Sequence, residues 1–196
     1  MSEDDELEVD GVIYSEDEDS DFDDQIYPML RELENESDRG AALIGAAFIE
    51  EALGELLQGV MVDDRKAVKD LLGRSLSNFS ARIALANCLG LLDSDIYEDL
   101  GLIRDIRNRF AHRHHVVSFQ DEEITKQCFK LRTIERLPPI PPDFGWTGSA
   151  RDRYAFAVNL ISYKLKEMPK TLTRPEKRPA PPRSPGWDNP PEYPEN

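Results

Sequence analysis

The stretch IRDIRNRFAHRHH, residues 103–115, concentrates side chains that could do chemistry. It contains four arginines and all three histidines of a chain whose formal net charge is −15. A guanidinium can hold a phosphate or a carboxylate with paired donors, and an imidazole can exchange a proton near neutral pH. The stretch is therefore a candidate catalytic site, a candidate binding surface or the polar end of a packed helix.

Helical phasing divides this stretch into two parts. A helix over residues 96–112 gathers its apolar side chains on one face, formed by Ile96, Leu100, Ile103, Ile106 and Phe110. Arg107 falls within that face, so it must pair with a buried acid, line a cavity or reach the surface. Glu50 and Glu51, on an earlier helix, are the candidate partners. His112 follows five residues later and diverges from Arg107 by roughly 140° in an unbroken helix.

The two ends of the chain differ from its middle. Residues 1–24 contain thirteen acidic side chains and no Lys or Arg, and residues 169–196 are rich in proline. Self-repulsion and low apolar content predict a disordered acidic arm over residues 1–22, and the prolines predict a disordered tail from 169. Residues 23–168 have the apolar patterning of one domain.

Apolar periodicity in that domain predicts helices and no convincing strand. We expect an all-α, single helical-bundle domain of six or seven helices. The first helix begins near Asp24, and the second runs from Asp38 to about Met61. Small residues in the second helix would permit close helix contact: Gly45, Ala47 and Gly54.

Further helices follow from capping and stop signals. One is expected over residues 64–73, ending in a left-handed cap at Gly73, and another over residues 77–90, with Gly90 as its stop. The next is expected from Asp93 or Ser94 through the motif. Another is expected over residues 121–132, and a last one from Ser149. The prolines of residues 137–146 predict an extended connector between those two.

The composition also bears on location and on cofactors. Acids follow Met1 and interrupt the most apolar segment, so we expect a cytoplasmic protein without a membrane span. Cys88 and Cys128 are predicted to be buried thiols in a reducing compartment. No cofactor is expected, and no metal either, because no carboxylate or cysteine completes a familiar spacing with the histidines. One weak transition-metal site, at His112 and His115, stays open.

Several blocks of the sequence resemble known families. RNRFAH, residues 107–112, resembles the Arg-x4-His signature of the HEPN superfamily. That resemblance implies a dimeric, metal-independent endoribonuclease site with Arg107 and His112 as the matching residues. Longer blocks resemble the mannitol operon repressor family: DRGAALIGAAFIEEAL, GRSLSNFSARI and IRNRFAH, in an order that covers roughly residues 25–132. This second resemblance implies an all-α fold and a role in transcription regulation.

The residues favour an indirect mode of regulation. No predicted helix presents a row of Lys, Arg, Asn and Gln suited to the major groove, and the acidic arm would oppose phosphate binding. We therefore expect a helical regulator that acts on transcription through a protein partner, without direct duplex DNA binding. The apolar faces and the HEPN resemblance together favour a homodimer.

The HEPN resemblance implies an enzymatic alternative. His112 would transfer the proton in RNA cleavage, Arg107 would hold the scissile phosphate, and Asn108 would orient the histidine or the phosphate. The RNA backbone would be steered by Arg104, Arg109 and Arg113. A structural alternative stands beside it, in which Arg107 and Asn108 form a buried hydrogen-bonding knot that fixes the helix turn, with His112 packed against it. A site for a different ligand is the third alternative.

Overall fold

The computed structural model of the chain describes residues 28–112, 116–136 and 146–176, and the backbone of residues 8–9 and 12–13. Seven α-helices lie within these ranges: α1 (28–34), α2 (Asp38–Val60), α3 (Arg65–Gly73), α4 (Phe79–Cys88), α5 (Ser94–His112), α6 (Glu122–Cys128) and α7 (Ala150–Thr171). A 3-10 helix spans Thr133–Arg136. Two strands of two residues each, β1 (Glu8–Val9) and β2 (Val12–Ile13), pair antiparallel. The predicted all-α domain is confirmed.

Short polar side chains fix where the helices begin. The N-cap oxygen accepts a hydrogen bond from the amide three residues on, at 3.0 Å for Ser37, 2.8 Å for Asn78 and 2.8 Å for Asp93. Ser149 and Asp152 form a reciprocal capping box at the start of α7. These contacts satisfy amides that have no partner in the first helical turn. The predicted starts of α2, α5 and α7 are confirmed.

The two longest helices, α2 and α7, form the centre of the bundle. Gly45 of α2 lets them approach, because a Cβ at that position would lie 3.1 Å from the Tyr154 ring. The Tyr154 side chain is fully buried, and its hydroxyl donates a hydrogen bond to the Ala42 carbonyl at 2.8 Å. Gly45 is thus confirmed as a close-contact position, whereas Ala47 is exposed.

Arg151, in the first turn of α7, joins three segments of the fold. Its Nη1 donates to Asp38 Oδ1 at 2.6 Å, and its Nη2 donates to the Leu33 carbonyl at 2.9 Å. Nη2 also donates to the carbonyl of Glu34, the last residue of α1, and to that of Glu36 in the turn before α2. Asp38 Oδ2 accepts the Phe119 amide at 3.0 Å. The end of α1, the start of α2 and the loop before α6 are therefore held to one guanidinium–carboxylate pair.

Two helix ends differ from the predictions. Gly73 is the last residue of α3 and does not adopt the left-handed conformation, because the chain turns on through Arg74 at φ −116°. Gly90 is confirmed as the stop after α4, and the structure shows it in the left-handed conformation at φ 70°. Helix α6 ends at Cys128, four residues earlier than predicted, because the chain next enters the 3-10 helix that Asp99 holds.

Other predictions meet different outcomes. Cys128 is buried, but Cys88, at the last turn of α4, is exposed. Helix α7 runs past residue 168, the predicted end of the domain, to Thr171. The connector over 137–145 and most of the acidic arm and the proline-rich tail lie outside the described residues.

Candidate functional site

Burial fixes the orientation of α5, which carries the Arg/His-rich stretch. All five residues of its predicted apolar face are buried. Asp93 caps the helix ahead of that face, so the start and the phase of α5 are both determined locally. The remaining side chains of α5 therefore lie beside this face or on the outward side of the bundle.

Asp99 is a buried acid that the sequence analysis missed. Its side chain is 0% exposed, and its carboxylate accepts the Arg132 amide at 3.0 Å and the Thr133 amide at 2.8 Å. The Thr133 hydroxyl donates to the same carboxylate. Asp99 thus hydrogen-bonds the start of the 3-10 helix, 34 residues further along the chain. The helical phasing that placed Arg107 in the apolar face also places Asp99 there, between Ile96 and Ile103. The same pattern could therefore have identified Asp99 as a buried acid.

Arg107 is half-buried on the flank of the apolar face. Its Nη1 donates a hydrogen bond to Asn108 Oδ1 at 3.1 Å. Within the described residues, it forms no ion pair with Glu50 or Glu51. Glu51 is exposed, and Glu50 takes part through its carbonyl, which accepts from Arg82 at 2.6 Å. Arg107 and Asn108 are therefore brought together, while the two candidate acids lie elsewhere.

His112 is the last residue of α5 and is exposed. The helix runs unbroken from Arg107 to His112, so the two side chains leave it in directions roughly 140° apart. One copy of the chain does not bring them to a shared point. Arg113, His114 and His115 lie outside the described residues.

Two of the predicted binding arginines lie beside carboxylates of opposite charge. Arg104 Nη2 lies 2.8 Å from Asp105 Oδ1, and Arg109 Nη2 lies 3.7 Å from Glu123 Oε2. All four side chains are partly open to solvent, where such pairs contribute little stability. The outward face of α5 is consequently mixed in charge and not a uniform basic strip.

A shallow groove runs along this outward face, between α5 and residues 129–135. Its volume is about 610 Å³, and its lining includes Gly101, Leu102, Arg104 and Phe129. A Cβ at Gly101 would meet no atom within 4 Å, so the floor of the groove is open. Phe129 is 52% exposed, and the Arg153 guanidinium lies 5.0 Å from its ring centroid. We call this feature the α5 groove.

The buried titratable groups of the core are not poised for chemistry. Burial raises the pKa of the Cys128 thiol to about 12, so the nucleophilic thiolate is scarce at neutral pH. Burial also raises the pKa of Tyr154 above its usual range, and its hydroxyl is already bonded.

In the described ranges, no group of three or more His, Cys, Asp or Glu side chains could hold a metal ion. No described helix is both long and apolar enough to span a bilayer.

The fold and the groove define a class, an all-α domain with an open surface beside its Arg/His-rich helix. The chain belongs to the mannitol repressor (MtlR) family, whose model matches residues 17–170. This match confirms the mannitol operon repressor resemblance. The comparisons give no support to the HEPN resemblance.

Individual relatives cover less of the chain. The mannitol operon repressors of Escherichia coli K12 and of Escherichia coli O6:H1 strain CFT073 are each 29% identical over 89 residues. That alignment covers 45% of this chain and 43% of each relative, so it spans less than half of their length. A chain of the X-ray structure of the MtlR–HPr complex from Escherichia coli shares the fold, with a TM-score of 0.58 and 22% identity. The likeness covers 73% of this chain and 99% of that one.

Proposed function

We propose that this protein is a regulator of the MtlR type that acts by binding a protein partner, and that HPr is the first partner to test. Family membership supports the regulatory role. The shared fold with a chain from the MtlR–HPr complex supports a protein as the partner. Transcription would then be affected indirectly, without direct contact to duplex DNA.

The observation that carries this proposal is the α5 groove. Its floor at Gly101 admits another surface close to the helix, and Phe129 offers an exposed aromatic ring at its edge. Aromatic side chains of this kind dominate the binding energy of many protein interfaces. Two ion pairs lie in the lining of the groove, Arg104 with Asp105 and Arg132 with Glu98, so a partner would meet paired charges beside the apolar Leu102 and Phe129.

The mixed charge of this face argues against a DNA-binding role. A protein that neutralises several phosphates needs arginines and lysines that are not already paired. Arg104 and Arg109 each lie beside a carboxylate. We also propose a homodimer, in which the groove would remain free for the partner.

Isothermal titration calorimetry tests the proposal directly. The full chain is titrated with HPr from the organism that encodes it, and separately with duplex DNA at physiological salt. We expect saturable binding to HPr with a dissociation constant on the order of micromolar, as is usual for small transient interfaces. Sequence-specific DNA binding with no HPr binding would contradict the proposal.

The endoribonuclease alternative is favoured by one observation. Within the described residues, Arg107 has a neutral hydrogen-bond partner and no carboxylate, so its charge is not cancelled. His112 is exposed on the same helix. Because the two diverge, a second copy of the chain would have to complete the site. Cleavage of RNA in the presence of a chelator, with 2′,3′-cyclic phosphate ends and loss in His112→Ala, would support this alternative.

A further inference from the structure

A second cleft lies at the other end of α2 from Arg151, and the proposed partner binding does not use it. It is bounded by the end of α2, by α3, by Arg82 of α4 and by Arg174 beyond α7. Its volume is about 760 Å³, within the range of sites that hold metabolite-sized ligands. Apolar side chains form part of its wall: Val62, Val68 and Leu72. We call this feature the α3 cleft.

Arg82 is the fixed cation of the α3 cleft. Its Nε donates to the Leu76 carbonyl at 2.9 Å, and its Nη1 donates to the Glu50 carbonyl at 2.6 Å. A glycine at position 54 makes room for it, because a Cβ there would lie 3.1 Å from Nη1. Both acceptors are neutral, so the positive charge is held in place without being cancelled. Its Nη2 forms no hydrogen bond within the described part of the chain.

Two further cations face the cleft from α3. Arg65 and Lys69 are four residues apart, are both exposed, and both line the cavity. Among the residues that the structure describes, neither forms an ion pair. Like charges one turn apart on a helix repel each other. A bound anion would relieve that repulsion.

The two carboxylates of the cleft have other partners. Asp64 Oδ1 accepts the Ala67 amide at 3.1 Å as the N-cap of α3, and Asp63 Oδ1 lies 3.5 Å from Arg174 Nη1. The lining therefore contains four cationic and two anionic side chains. This local positive excess occurs in a chain with a net charge of −15.

We propose that the α3 cleft binds a small phosphate monoester. The free Nη2 of Arg82 would contact the phosphate, and Lys69 and Arg65 would supply complementary charge. A phosphate monoester carries nearly two charges at pH 7 and three strong acceptor oxygens, which suits several converging cations better than a single carboxylate does. The apolar wall would contact the carbon skeleton of the ester.

The test is an NMR titration of the ¹⁵N-labelled full chain at constant ionic strength. The probes are inorganic phosphate and glycerol 3-phosphate, with glycerol as the uncharged control. We expect saturable shifts confined to α3, the end of α2 and the Arg82 side chain, and tighter binding of the ester than of inorganic phosphate. Glycerol should produce no shift.

Two variants on one helix make the test specific. Lys69→Gln removes an exposed cation of the cleft and should weaken binding roughly five- to tenfold, as expected for loss of a charge-assisted contact. Lys66→Gln makes the same change at an exposed position of α3 outside the lining and should leave binding unaltered. Both positions are solvent-exposed, so neither variant should impair folding.

Several outcomes would overturn the proposal. They are the absence of saturation by either probe, an equal response to sodium chloride, and equal weakening by Lys66→Gln. A further contradicting result is that Lys69→Gln shifts the resonances of the N-terminal arm while phosphate produces no response. That result would show that the acidic arm, and not a phosphate ester, occupies the cleft. HPr binding is measured on the same samples. A chain that binds HPr but not phosphate therefore separates the two proposals.

Discussion

Asp99 and Arg107 lie eight residues apart on α5, beside the same apolar face, but the fold treats them in opposite ways. Asp99 is fully buried, and three donors of residues 132 and 133 satisfy its carboxylate. Arg107 is half-buried, and its hydrogen bond goes to the neutral Asn108 next to it. A charge whose partners are supplied by another element belongs to the scaffold. A charge with only a local, neutral partner contributes little to stability and stays available to a partner or ligand.

The largest loss of stability should come from removing the Asp99 carboxylate. Asp99→Ala leaves two amides and one hydroxyl without their acceptor in a dry environment, so we expect the free energy of unfolding to fall by about 3 kcal/mol. Urea denaturation measures this loss. Asp105→Ala is the matched control on the same helix, since its pair with Arg104 is partly exposed and should contribute almost nothing. Similar losses in both variants would contradict the role assigned to Asp99.

Arg151 provides the cationic counterpart of Asp99, because its guanidinium also ties separate elements together. Arg151→Met keeps an unbranched stem but removes the guanidinium and its contacts with Asp38 and with the α1 carbonyls. We expect a loss of about 2 kcal/mol in unfolding free energy. Hydrogen exchange should show that α1 opens first. A loss below about 0.5 kcal/mol would show that the contacts of Arg151 contribute no more than an exposed ion pair, and would contradict its role in joining these elements.

Asp152 gives a smaller, pH-dependent effect. Burial alone would raise its pKa, but hydrogen bonds from Thr147 and Ser149 outweigh burial and lower the pKa below its usual value. The contribution of its charged form is present above the unfolded-state pKa and is lost as the pH falls through the folded-state pKa. Asp152→Asn should therefore cost about 0.5–1 kcal/mol at pH 7, and less in acid. A cost that is constant from pH 7 to pH 3 would exclude this linkage.

The smallest effect on stability is expected at Arg107. Arg107→Gln removes a half-buried cation whose described hydrogen bond is to a neutral amide, so we expect a change within about 0.5 kcal/mol. Thermal unfolding of this variant beside Asp99→Ala compares the two positions under identical conditions. A loss as large as that of Asp99→Ala would show that Arg107 and Asn108 are the structural knot that the sequence left open.

Much of the fold could be predicted because its signals are local. Apolar spacing and N-cap residues placed α2, α5 and α7, and Gly90 placed the end of α4. The end of α6 could not be predicted in this way. It depends on Asp99, which lies 34 residues before Thr133 and accepts a hydrogen bond from its amide.

The candidate site was less predictable than the fold. The sequence placed Arg107 within the apolar face and named Glu50 and Glu51 as its candidate partners, but among the described residues Arg107 donates its hydrogen bond to Asn108. Which residues face each other across helices depends on how those helices pack. The α5 groove could not be predicted from the sequence for the same reason. Gly101 and Phe129 line one groove only because α5 packs beside the end of α6.

The central claim is that a protein partner docks in the α5 groove, and a bulky residue on its floor tests it most directly. Gly101→Trp adds a large side chain where the fold leaves open space, so the protein should remain folded. Gly73→Trp is the matched control, at another glycine with open space around it. We predict that Gly101→Trp weakens HPr binding at least tenfold in calorimetry while Gly73→Trp leaves it unchanged. Unaltered HPr affinity in a folded Gly101→Trp variant would contradict the claim.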